Sequence, residues 1–257
     1  LSASRFHFRA SPDVVHLDFE TFSHLDVREV GAYRYAADPS TEILVVAWAI
    51  GDGPVFHWTC EDPEPPLELL AAIQSGAIIA AHNAQFERAI LDMAHRRLAW
   101  PETRVEQFRC TAAKAAVMSL PRALDSVARL FNVAEQKDKR GKALLRRFAG
   151  LQKRKNKEPF RIYPMEDPEG FAELVEYCRQ DVLAERAVDR EMPDLDPVEL
   201  AVFWLDMHIN EEGLPVDEAA MRGAIRIANH LGDALVEKVT VLTGGIAVTQ
   251  RDATLEH

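Results

Sequence analysis

Eight consecutive apolar residues, Ile43-Leu44-Val45-Val46-Ala47-Trp48-Ala49-Ile50, leave the surrounding chain few choices. The run is far short of the roughly 18 residues that a membrane-crossing helix needs. It is rich in β-branched residues and is followed directly by the turn sequence Gly51-Asp52-Gly53-Pro54, so it reads as a buried strand, Glu42 to Ile50. Val14 to Thr21 reads as a strand before it and Val55 to Trp58 as one after it, giving three sequential strands with hairpin logic. The pattern then changes period. A helix is expected from Pro66 to Gln74, a short strand from Ala77 to Ala81, an amphipathic helix from Ala84 to Leu98 and a fifth strand within Val105 to Cys110. Helices follow over Thr111 to Met118, Leu124 to Phe131, Gly141 to Phe148 and Pro168 to Arg190. Strands first, with helices interleaved and then packed on, define a layered α/β domain.

A chain of 257 residues has room for one domain of about 190 residues and a smaller appendage. The domain is expected over residues 13–192, after a flexible lead-in at residues 1–12. Pro193 and Pro197 bracket a linker. Beyond it, residues 193–254 hold two helical stretches, Val198 to Glu212 and Glu218 to Leu242, around the turn Gly213-Leu214-Pro215-Val216-Asp217. This extension is too small for a core of its own. Residues 255–257 have the look of an expression-vector remnant.

Hydrophobic residues at 47% and charged residues at 28% are ordinary for a soluble protein, and neither a secretion signal nor a membrane span is visible, so a cytoplasmic protein is expected. Three widely spaced cysteines, Cys60, Cys110 and Cys178, make neither a disulfide framework nor a zinc knuckle. His16, His57, His82 and His95 lack close-set ligand spacing and read as structural. A net charge of −11 is a poor global match for a nucleic-acid binder, yet ten of the 30 Lys and Arg fall between Lys137 and Lys157. Alone, such a run reads as readily as a solvated loop and helix face.

Three acidic signatures carry the chemistry. Asp18 and Glu20 lie two apart on the first strand, so both point to one face of the sheet. Two carboxylates buried side by side need a cation, and Mg²⁺ or Mn²⁺ prefers such oxygen ligands. Ala81-His82-Asn83-Ala84-Gln85-Phe86-Glu87 passes from the fourth strand into a helix, with Asn83 as the expected N-cap and Glu87 in the first turn, where the helix dipole tolerates negative charge. Tyr177 and Asp181, four apart on the last long helix, share one helix face. Each has an ordinary reading by itself: an exposed sheet face, a well-capped helix, a chance spacing.

In this order, and on strand, helix start and helix, the three signatures together resemble the three exonuclease motifs of the DEDD family of 3′ to 5′ exonucleases, in its tyrosine-containing subgroup. The resemblance covers roughly residues 13 to 190. It implies an RNase H-like fold, a mixed five-stranded sheet with flanking helices that presents the first motif on its opening strand. It also implies two divalent metal ions, Mg²⁺ or Mn²⁺, held by Asp18, Glu20 and Asp181 with Glu87 completing the set. Tyr177 would orient the attacking water, and Thr21, Asn83 and Phe86 would touch the terminal nucleotide. Glu87 departs from the family, which usually has Asp there; the added methylene carries the carboxylate about 1.5 Å further out.

Leu124-Asp125-Ser126-Val127-Ala128 with the basic residues after it, and Ile209-Asn210-Glu211-Glu212-Gly213-Leu214-Pro215-Val216-Asp217, are similar to segments of phage-type family A DNA polymerases. That likeness implies a proofreading exonuclease acting on single-stranded 3′ DNA ends, with a polymerase domain as its partner in the intact protein. A 3′ to 5′ exoribonuclease of the same fold and a non-catalytic DNA-binding or structural domain remain open alternatives.

Overall fold

The computed structural model describes residues 13–133, 141–152 and 158–256. Five strands, β1 (Val14–Phe22), β2 (Glu42–Ile50), β3 (Phe56–Thr59), β4 (Ile78–Ala81) and β5 (Phe108–Cys110), form one sheet in the order β3-β2-β1-β4-β5. β1 pairs antiparallel with β2, and β2 with β3, while β4 runs parallel to both β1 and β5. The two parallel connections need crossovers, which the helices α3 (Leu67–Gln74) and α4 (Gln85–Leu98) supply. This is the mixed five-stranded, helix-flanked α/β fold expected from the sequence.

Between β1 and β2 the chain forms two short helices that the apolar pattern does not announce, α1 (Val27–Val30) and α2 (Ala32–Ala37). Asp26 caps the first through the backbone N–H of Arg28, and Gly31, at φ 77°, separates the two in a left-handed conformation that glycine adopts at little cost. Arg97, exposed in the last turn of α4, donates to the carbonyls of Ala36, Ala37, Asp38 and Thr41 and so closes the C-terminal end of α2.

Alternation along β1 sorts its side chains between two layers. Val15, Leu17 and Phe19 enter a core with Leu69 and Ile73 of α3 and Ile90 and Leu91 of α4. On the opposite face, Phe22 joins Val45, Ala47 and Ala49 of β2 beneath Phe171, Leu174, Cys178 and Val182 of the long helix α8 (Pro168–Glu191). Shorter helices fill the flanks of α8: α5 (Thr111–Val117) and α6 (Leu124–Leu130) meet it around Ala184 and Val188, and Phe148 of α7 (Gly141–Phe148) stacks edge-on against Phe171. Each fully buried aliphatic or aromatic side chain contributes about 1.5 to 3 kcal/mol.

Contacts divide the described chain into two units, one up to Glu211 and one from Glu212. Helix α9 (Pro197–Glu212) lies almost wholly in the first unit. Its Met207 is fully buried as a member of the same core cluster as Leu17 and Ile90, the Trp204 indole donates to the Phe108 carbonyl at 3.2 Å, and Arg88 pairs with Glu211 at 2.7 Å. The second unit holds α10 (Glu218–Leu242), capped by Asp217, and α11 (Arg251–Glu256). The lead-in at residues 1–12, His257 and most of the basic run (Lys137, Lys139, Arg140, Lys153, Arg154, Lys155, Lys157) lie outside the described residues.

Candidate metal centre

His16, Asp18 and Glu20 alternate onto the face of β1 that α8 covers, and Tyr177, Asp181 and Glu185 recur every four residues along α8. The two rows meet. One ligand oxygen from each of Asp18, Glu20 and Asp181 lies within 4.8 Å of the others. Glu20 and Asp181 are buried and Asp18 is half-buried. Tyr177, one turn before Asp181, is buried as well. The Cys178 thiol donates to the Asp18 carbonyl at 3.4 Å and to Asp18 Oδ2 at 3.5 Å. Burial, reinforced by the negative charge of Asp18, Glu20 and Asp181, holds this thiol well above the usual thiol range, so it orients Asp18 as a neutral donor.

Glu87 lies in the first turn of α4, buried, and falls outside the group of three. Desolvation first, and the charge of Asp18 second, push its carboxyl well above the ordinary carboxylate value. Its Oε2 is buried without a hydrogen-bond partner. A desolvated carboxyl oxygen near an all-oxygen cluster fits a hard cation, whose charge reverses the electrostatic penalty. The donor set present can therefore hold a divalent metal ion of the Mg²⁺ or Mn²⁺ type.

The three residues expected to touch substrate sit differently. Asn83 does not cap α4. Ala84 holds the N-cap position without a side-chain bond, and Asn83 is exposed at φ 72°, a left-handed conformation to which asparagine is tolerant. Its backbone carbonyl instead accepts from Phe86 N–H at 2.9 Å, a tight turn into the helix. The Thr21 hydroxyl is bonded to the Tyr35 hydroxyl at 2.8 Å, on the face of β1 opposite Asp18 and Glu20. The ring of Phe86, half-buried, stands 6.0 Å from that of Tyr35, so Thr21 and Phe86 are joined through a residue of α2 that sequence reasoning passed over. Burial drives the Tyr35 phenol to about 12, which keeps it protonated.

His16, which sequence reading left as structural, flanks the cluster in a buried pair with Glu185. His16 Nδ1 lies 2.7 Å from Glu185 Oε2, with His16 6% and Glu185 2% exposed. Desolvation raises the Glu185 carboxyl, and His16 offsets part of that rise. The only signal for this pair in sequence is its spacing, two residues before Asp18 and one helical turn after Asp181.

Fold and cluster together define an α/β domain with a buried acidic cluster that could hold a metal ion. Among curated proteins the chain is similar to the DNA polymerase of Bacillus phage SP02, 35% identical over 234 residues, a match that covers 89% of this chain and 36% of that protein. The chain thus spans about a third of the length of this relative. No family model matches it. Among solved structures it bears a distant likeness to the apo form of a nuclease, at 15% identity over 75% of this chain and 73% of the other, with a TM-score of 0.36. No helix among the described residues is long and apolar enough to cross a membrane.

Proposed function

We propose that this domain is a 3′ to 5′ exonuclease that removes nucleotides from single-stranded 3′ DNA ends, the proofreading part of a DNA polymerase. The observation that carries the reading is the convergence of Asp18, Glu20 and Asp181 within 4.8 Å on the helix-covered face of β1. The 35% identity with a phage DNA polymerase supports the choice of DNA over RNA.

In this reading Asp18, Glu20 and Asp181 hold two divalent cations and Glu87 completes their ligand set. Bound there, such cations would make water nucleophilic at neutral pH and offset charge on the leaving 3′ oxygen. The protein's own groups do the rest. Tyr177 and Glu20 orient the attacking water, Cys178 keeps Asp18 in position, and Asn83 lines the approach of the terminal nucleotide, while Thr21, on the other face of β1, acts through its bond to Tyr35. Phe86, backed by Tyr35, offers a face on which a base can stack without regard to its identity. Nucleoside 5′-monophosphates are the expected product, and in the intact protein a polymerase domain would extend the end that is trimmed.

The test is a 5′-labelled single strand supplied as DNA and, separately, as RNA of the same sequence. A ladder shortening from the 3′ end of the DNA, present with Mg²⁺ or Mn²⁺ and lost with chelator, is expected. Faster degradation of the RNA would favour an exoribonuclease, and no metal-dependent ladder on either would leave a binding domain. Phe86→Ala is expected to raise the apparent KM for single-stranded DNA about tenfold while kcat changes less, since stacking one base contributes about 1 to 3 kcal/mol. An unchanged KM would remove Phe86 from the substrate path.

A further inference from the structure

The hydrogen bond between His16 and Glu185 joins the strand and the helix that carry the acid cluster. His16 precedes Asp18 by two residues on the same face of β1, and Glu185 follows Asp181 by one turn on the same face of α8. The 2.7 Å bond therefore ties β1 to α8 immediately beside the place where Asp18 and Asp181 converge. Like charges at that place push the two elements apart whenever no cation lies between them. A buried polar pair is a weak device for stability alone, because desolvation cancels most of its attraction, and its best-attested use is to fix register. Glu185 Oε1 is buried with no hydrogen-bond partner, so the side chain is held by His16 rather than by a surrounding network.

We infer that His16 and Glu185 are positioning residues that set the spacing of Asp18 and Asp181 before a metal ion arrives. This rests on the metal-site reading above. Outer partners that fix ligand geometry commonly change metal affinity by about 10- to 100-fold when removed.

The experiment is calorimetric titration of the folded protein with Mn²⁺ alone, beside thermal melts in chelator. His16→Leu is expected to weaken Mn²⁺ binding by about 10- to 100-fold. His16→Asn, whose amide nitrogen takes the place of Nδ1, is expected to recover binding to within a few-fold of the parent, on the same physical ground. Glu185→Met breaks the same bond from the other side and should weaken binding by a similar factor. Parent-like Mn²⁺ affinity in folded His16→Leu or Glu185→Met, whatever happens to the melting temperature, overturns the inference and leaves the metal site standing. A parent protein that binds Mn²⁺ no better than Asp18→Ala overturns the metal site and the inference together.

Discussion

Asp18→Ala should slow 3′-end degradation by about 10³-fold or more, a loss of roughly 4 kcal/mol of transition-state stabilisation, in line with what a correctly held metal supplies. Asp18 belongs to the cluster through its own oxygen and is the neighbour whose charge acts most on Glu87. Removing it should therefore disable the site without harming the fold. The metal-free variant is expected to melt no lower than the parent, since one of several mutually repelling acids has gone. Initial rates of nucleotide release and melts in chelator check both halves. A rate within tenfold of the parent would mean that the chemistry lies elsewhere.

Metal-free protein should lose stability as pH rises, and divalent metal should restore it. Burial raises the carboxyls of Glu87 and Glu185 above the ordinary value of 4.5 in the folded state. Their protons are thus held more tightly when the chain is folded than when it is unfolded. The contribution of this difference is full below about 4.5 and is lost as pH climbs through the folded-state values, so the slope of stability against pH is negative over that window. A bound cation favours the ionised forms and adds about 2.7 kcal/mol at a hundred times its Kd. The gain from Mn²⁺ should therefore be larger at pH 8 than at pH 5, and thermal melts at the two pH values, with metal or chelator, measure it. Equal melting temperatures in chelator at both pH values, with no shift on adding Mn²⁺, would contradict the electrostatics described for Glu87.

What could be seen in the sequence follows from periodicity. The apolar run ending at Ile50, the helices Gly141–Phe148 and Glu218–Leu242, the shared face of Asp18 and Glu20 and that of Tyr177 and Asp181 are all local patterns, fixed by the two-residue repeat of strands and the helical turn. What escaped was either too short or too distant. Helices α1 and α2 are too brief to show a period, and with them Tyr35 was overlooked. Asn83 was ambiguous because asparagine serves both as an N-cap and as a left-handed residue, and only the backbone decides between them. The bond between His16 and Glu185 spans 169 positions, and no local spacing encodes such a meeting. Met207 shows the same limit, since the apolar pattern of α9 does not say which core cluster it will join.

Arg97 gives the molecule an unexpected point of sensitivity. Helix α4 carries Phe86 and Glu87 at one end and Arg97 at the other, roughly 15 Å away at 1.5 Å per residue. Through its grip on the carbonyls at the end of α2, Arg97 also fixes the helix that bears Tyr35, the backing of both Thr21 and Phe86. An exposed arginine thus reaches, through α2, the tyrosine that stands behind Phe86. In the proposed exonuclease, replacing Arg97 is expected to loosen that end of α2 and with it the support behind Phe86, from a position outside the acid cluster.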